Sequence, residues 1–272
     1  MKFLVILLAL GLERLYPELQ RWRPVDRFHD YTDAFRSRFT QPWLLGRGGL
    51  IALLAPWLLA LWLLLELLEP LDWLIALAVL LLCLGPRDLA GDLRRLRADL
   101  GVGTPGAETL AAFGLGPAAV AGDTLAAALI RTALVRLFGV MFWFALLGPV
   151  GALLYRLTQL LAARADGEED DFSLAVWQLQ ALLDWLPARA LAATGALIGS
   201  FDATLAAWRE CAPADPFDDS REFAAEVALE SMELEPGAEP AAALERARDY
   251  LLRAGLAWLA LLALLTLAGW LA

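Results

Sequence analysis

From Trp43 to Leu68 the chain carries only two charged residues, Arg47 and Glu66, among leucine, alanine and tryptophan. A helix rises about 1.5 Å per residue, so about 20 apolar residues cross a hydrocarbon layer of roughly 30 Å. The stretch is long enough to cross with tilt, and Pro56 marks where it can kink. Further Leu/Ala runs follow. Of the 272 residues 60% are hydrophobic, and the mean hydropathy is +0.58. A soluble domain sits nearer half apolar. These features predict an all-α integral membrane protein, with about four to five membrane helices plus amphipathic helices on the cytoplasmic side.

The charges gather between the apolar runs. Arg21, Arg23, Arg27, Arg36, Arg38 and Arg47 lie before or at the start of the first clear span, and Arg87, Arg94, Arg95 and Arg97 follow the return segment Trp73–Leu84. The hairpin between them holds Glu66, Glu69 and Asp72 without a lysine or arginine. That asymmetry puts both arginine-rich flanks in the cytoplasm. A net charge of −10 argues against a nucleic-acid partner. His29 is the only histidine, which excludes a histidine-rich metal site. Cys83 lies in an apolar run and Cys211 in an acidic region, so both are expected to be unlinked and inert. Phe28, Tyr31 and Phe35 fall on one face of a helix among arginines, a pattern suited to a membrane surface.

The chain then reads as one membrane domain. Residues 1–16 form a first helix, 17–47 an arginine and aromatic segment, and 43–85 a membrane hairpin. Residues 86–136 form cytoplasmic helices, among them a separate helix over 118–138. Residues 137–201 are central, 202–250 an acidic cytoplasmic region, and 251–272 a last membrane helix anchored by Trp270. Residues 172–201 look too polar for a simple span, with Gln178, Gln180, Asp184 and Arg189 intruding. The 101–106 stretch GVGTPG lacks the Lys-Ser/Thr of a phosphate loop, and RADGEEDD at 164–171 lacks the spacing of a calcium loop. No internal repeat supports an inverted-repeat transporter.

The centre of the chain is Phe142–Arg156, FWFALLGPVGALLYR, with Leu183–Arg189, LDWLPAR, after it. Gly148, Pro149 and Gly151 interrupt the first segment and Pro187 the second. Proline removes an N–H and leaves a carbonyl that another group must satisfy, while glycine admits a close neighbour. In hydrocarbon such a break survives only under protein or a wet cavity. These residues are therefore expected to pack helices at the core. Small-residue patches such as Ala192, Ala193, Gly195 and Gly199 suit close packing within the chain or a homodimer, toward which they lean.

At these two motifs, with LLALGLERLYPEL near the start and GDTLAAALIR at Gly122–Arg131, the sequence resembles the AmpE family and, more distantly, the CobD/CbiB membrane enzymes of cobalamin synthesis. The resemblance implies a bacterial inner-membrane protein tied to β-lactamase induction and cell-wall recycling, with a functional link to the AmpD amidase. Where the biosynthetic relatives carry acid-rich stretches, this chain has TALVRLFGV at 132–140, TQLLAA at 158–163, and Gln180 and Ala181. Nucleotide-dependent ligation needs carboxylates to hold magnesium and steady the transferred phosphate. No catalytic residue, metal or cofactor is therefore expected. Instead, an anion pocket is expected from Arg156, Arg189, Asp184, Tyr155, Asp123, Arg131 and Arg136, against the alternative that Asp184 pairs with Arg189 or Arg156 to lock two helices. A CobD-like synthetase and a transporter remain the competing functions.

Overall fold

The computed structural model describes residues 2–15, 25–38, 46–84, 89–103, 105–116, 120–165, 170–235 and 237–269. Arg21, Arg23, Arg87, Trp270 and the middle of RADGEEDD, with the expectations placed on them, lie outside the described residues. Among the described residues every regular element is helical: α1 (Lys2–Leu15), α2 (Val25–Arg38), α3 (Arg47–Leu67), α4 (Asp72–Cys83), α5 (Leu89–Val102), α6 (Ala107–Ala111), α7 (Gly122–Ala133), α8 (Gly139–Arg164), α9 (Asp171–Ile198), α10 (Phe201–Cys211), α11 (Ser220–Ser231) and α12 (Pro240–Leu267). Four runs among them are long and apolar enough to cross a membrane: Arg47–Leu67, Gly122–Arg164, Asp171–Ile198 and Pro240–Leu267. The chain is an all-α membrane protein.

Two elements differ from the expectation. The return segment α4 does not: it has the 12 residues expected of it, about 18 Å of helix, which is too short to cross by itself. The helix expected over 118–138 does not end there: α7 passes through a π-helical turn, Leu134–Phe138, directly into α8. And α9 is long and apolar enough to cross despite its polar residues. Gln180 and Asp184 are buried, while Leu174, Trp177, Leu182 and Leu186 are exposed. A helix in lipid turns its apolar stripe out and its polar groups toward protein.

The chain divides into two compact units. The first comprises residues 1–86, 140–183 and 268–272, and the second 87–139 and 184–267. In the first unit α1 packs on α4. The aromatic face of α2 covers a core built from Leu50, Leu53 and Leu54 of α3, Leu157 and Leu161 of α8, and Phe172 and Val176 of α9. Phe28 and Tyr31 both meet the Trp57 ring edge-on, at 6.3 and 5.5 Å. The aromatic face read as suited to a membrane surface is thus occupied by protein. The charged side of α2 is tied down too, through Arg36 to Asp170 and Asp33 to Arg164. In the second unit α7 packs against α11 and α12, α10 against α11, and α5 against α12 and α6.

The break in α8 is sharper than a kink. Gly148 has φ 69° and ψ −156°, a region that a side chain rarely tolerates, and Pro149 begins the next helical segment. In an unbroken helix, residues 143 and 151 would be about 12 Å apart along the axis. Here a Cβ on Gly151 would stand 2.5 Å from the Trp143 carbonyl oxygen and 2.6 Å from the Leu147 Cβ. The second segment folds back on the first.

Two carbonyls lose their helical donors, and both find others within the first unit. The break at Gly148 ends the first segment and leaves Ala145 without its helical donor, and the Ala145 oxygen accepts from Lys2 Nζ at 3.3 Å. Pro187 cannot donate to Leu183, whose oxygen accepts from the Trp143 indole N–H at 2.9 Å. Neither donor was assigned this role from the sequence. Both satisfy the demand that each buried backbone carbonyl be paired.

Gly151→Ala is expected to destabilise the protein by about 1–3 kcal/mol through forced overpacking. Gly255→Ala, where nothing stands within 4 Å of the new methyl, should leave the melting temperature unchanged or raise it. Thermal unfolding of the two variants in detergent, side by side, checks this.

Candidate functional site

The seven expected pocket residues fall in both units. Tyr155 and Arg156 belong to the first. Tyr155 is fully buried, and Arg156, 4% exposed, donates to Gln159 one turn along α8. Asp123, Arg131, Arg136, Asp184 and Arg189 belong to the second, and their surroundings differ sharply from one another.

Asp123 serves its own helix. Its Oδ1 accepts from the Thr124 backbone N–H at 2.7 Å, in the first turn of α7 where a negative charge suits the helix dipole. Arg136 sits in the π-helical turn, which presents it to Asp92 of α5 at 2.8 Å and to the Ala112 carbonyl. The Asp92 and Arg136 side chains are 6% and 14% exposed, so this is a buried ion pair. Asp92 was not anticipated, since on α5 it reads as one more surface acid.

The other three converge on one turn of α11. Arg221 Nε donates to Asp184 Oδ2 at 2.6 Å, Glu222 pairs with Arg131, and the Phe223 ring lies 5.4 Å from the Arg189 guanidinium carbon. Three consecutive residues thus engage three of the expected site residues. The turn is fixed by its cap: Asp219 Oδ1 accepts from the backbone N–H groups of Arg221 and Glu222, at 3.0 and 3.3 Å. Side chains at successive helix positions diverge by about 100°, so one well-anchored turn can reach three neighbours at once.

Arg189 corrects the expectation of an Asp184–Arg189 pair. Its guanidinium stacks over the Trp185 ring at 4.1 Å and donates to the carbonyls of Trp185 and Pro213, each at 3.4 Å. Asp184 is turned to Arg221 instead, because α11 brings a guanidinium to it from outside α9. Arg189 therefore holds its charge against an aromatic face and two backbone dipoles rather than against a carboxylate. Among the described residues no group of three or more His, Cys, Asp or Glu side chains is placed to hold a metal ion.

Cys211 closes α10 beside the same layer, next to Phe223 and Val227. Burial raises its thiol pKa to about 11, with a hydrogen bond to Glu226 and the charges of Glu226, Glu210 and Glu230 adding to the effect.

An all-α membrane protein with arginine–carboxylate pairs on buried Asp92 and Asp184 and a Gly-Pro-broken central helix is the class that fold and site define. The chain matches the family model described as "Regulatory signalling modulator protein AmpE" over residues 1–272, and it belongs to that family. It is also similar to the cobalamin biosynthesis protein CobD of Chromobacterium violaceum, at 32% identity over 76% of this chain and 72% of that protein. A CobD of Stutzerimonas stutzeri is 29% identical over 78% of this chain and 74% of the relative. No solved structure matches.

Two expectations follow from this layer. Arg136→Ala leaves Asp92 buried without its counter-charge and should cost about 3–5 kcal/mol, whereas the double variant Asp92→Ala/Arg136→Ala should recover much of that loss. A denaturation-based double-mutant cycle measures it. At pH 8 iodoacetamide should label Cys211 at least about tenfold more slowly than an ordinary exposed thiol of pKa about 8.5, with labelling rising only toward pH 11. Mass spectrometry of the labelled peptide reads this out.

Proposed function

We propose that this protein is a non-enzymatic signalling modulator of the bacterial inner membrane, linked to β-lactamase induction and cell-wall recycling. It acts through an arginine-bearing cytoplasmic face. The observation that carries the reading is the state of its charges. Asp92, Asp184 and Glu222 each hold an arginine, so these acids are committed to structure rather than poised to grip a metal-bound phosphate. Arg189 is backed by rings and carbonyls, and a guanidinium so placed can accept an anionic cytoplasmic metabolite as its counter-charge. The AmpE match over residues 1–272 supports the same reading.

The second reading is a CobD-like synthetase, favoured by identity to two CobD proteins over three quarters of the chain. The two separate in one pair of assays. Deleting the gene should change β-lactamase induction by a sub-inhibitory β-lactam several-fold. The intact chain should restore it, and an Arg189→Ala chain present at normal abundance in the membrane should not. Restoration of corrinoid production in a ligase-deficient strain would instead establish the synthetase.

A further inference from the structure

α10 has three sectors, and one of them is unaccounted for by the protein. Its inner side is Thr204, Ala207, Trp208 and Cys211. Ala207, Trp208 and Cys211 pack with Ala192 of α9 and with Phe223 and Val227 of α11, and Trp208 meets the Phe223 ring edge-on at 5.1 Å. At about 100° per residue, steps of four residues advance only about 40° around a helix, so Phe201, Leu205 and Arg209 follow one another just beyond that inner side. Phe201 is 59% exposed and Leu205 37%, and Arg209 is exposed. Farther round come Asp202, Ala206 and Glu210, all exposed. The order about the axis is protein, apolar, basic, acidic.

The apolar sector follows in the chain on a helix that is long and apolar enough to cross a membrane. α9 is long and apolar enough to cross the membrane, and over its last turns it exposes Leu186, Ala193 and Leu197, the last at 81%. Only Gly199 and Ser200 separate it from α10, and the Ser200 N–H donates to the Ser231 carbonyl at 3.0 Å, which ties the corner to the end of α11. Phe201 and Leu205 are thus exposed apolar side chains within seven residues of the end of the candidate span.

We propose that α10 lies in the membrane interface, with Phe201 and Leu205 immersed at the acyl–headgroup boundary. Arg209 reaches the lipid phosphates, and Asp202 and Glu210 stand in water. The partner is the bilayer itself. A cation bordering an apolar stripe suits an interfacial helix, since a long arginine can keep its stem in apolar surroundings while its head reaches phosphate. A second protein seated on this face would not need the basic residue between lipid-like and water-like sectors.

The test uses the full chain in phosphatidylcholine nanodiscs, with Cys83→Ala and Cys211→Ala as background and single nitroxide labels at Leu205→Cys, Ala206→Cys and Glu210→Cys. Collision with oxygen, which concentrates in lipid, is compared with collision with a water-soluble nickel chelate. The oxygen-to-nickel ratio should be about threefold or more higher at 205 than at 206 or 210, as for a label roughly 5–10 Å below the headgroup boundary. Equal ratios at the three positions overturn the proposal, because the stripe then faces water. A label at 205 shielded from both reagents overturns it too, because protein, whether a second copy or another chain, then covers the face. A label at 206 or 210 closed to nickel also overturns it, because the acidic sector then does not stand in water.

Discussion

A helix interrupted inside hydrocarbon leaves a carbonyl oxygen with no water to turn to, and two such oxygens find donors in this protein. The break at Gly148 and the ring of Pro187 release the carbonyls of Ala145 and Leu183. Lys2 Nζ reaches the first from the start of α1, and the Trp143 indole reaches the second from the neighbouring helix. Each repair needs a helix held at one particular place. The fold-back at Gly148 supplies that constraint by bringing the second segment of α8 against the turn that carries Trp143. Backbone satisfaction, more than apolar packing alone, selects which elements must be neighbours here, since lipid is as apolar as leucine and rewards no particular partner.

The charged layer of the second unit obeys a related rule. Burying Asp92 and Asp184 is tolerable because guanidinium groups arrive from separate helices, Arg136 from the π-helical turn and Arg221 from α11. These pairs tie α5 to the Gly122–Arg164 run and α9 to α11. α11 is thereby more than a cover for an acidic region: its capped first turn collects contacts with α7 and α9 at once.

Much of this was legible in the sequence, and the limit has a physical cause. Apolar runs announce helices that can span, because length and hydropathy are local properties; Gly148-Pro149 likewise announces a break that must be covered. The identities of the donors are not local. Lys2 and Ala145 are 143 residues apart, and no period or spacing connects them. The same holds for Asp92 and Arg136, or for Glu222 and Arg131, where each residue taken singly looks like an ordinary solvated charge. α9 shows the opposite failure: its polar residues drew attention away from a length and composition that suffice for a span, and it buries Gln180 and Asp184 while exposing Leu182 and Leu186. Arg189 and Asp184 lie five positions apart in one motif, which invited a pairing that α11 pre-empted.

The lysine at the head of α1 has a bearing on biogenesis. Its acceptor is synthesised long after it, so during insertion the turn ending at Leu147 emerges with an open oxygen while its donor has been waiting since the earliest residues. Closure of that contact cannot precede assembly of α8. The central break is thus sealed by a side chain made well before the carbonyl that it reaches.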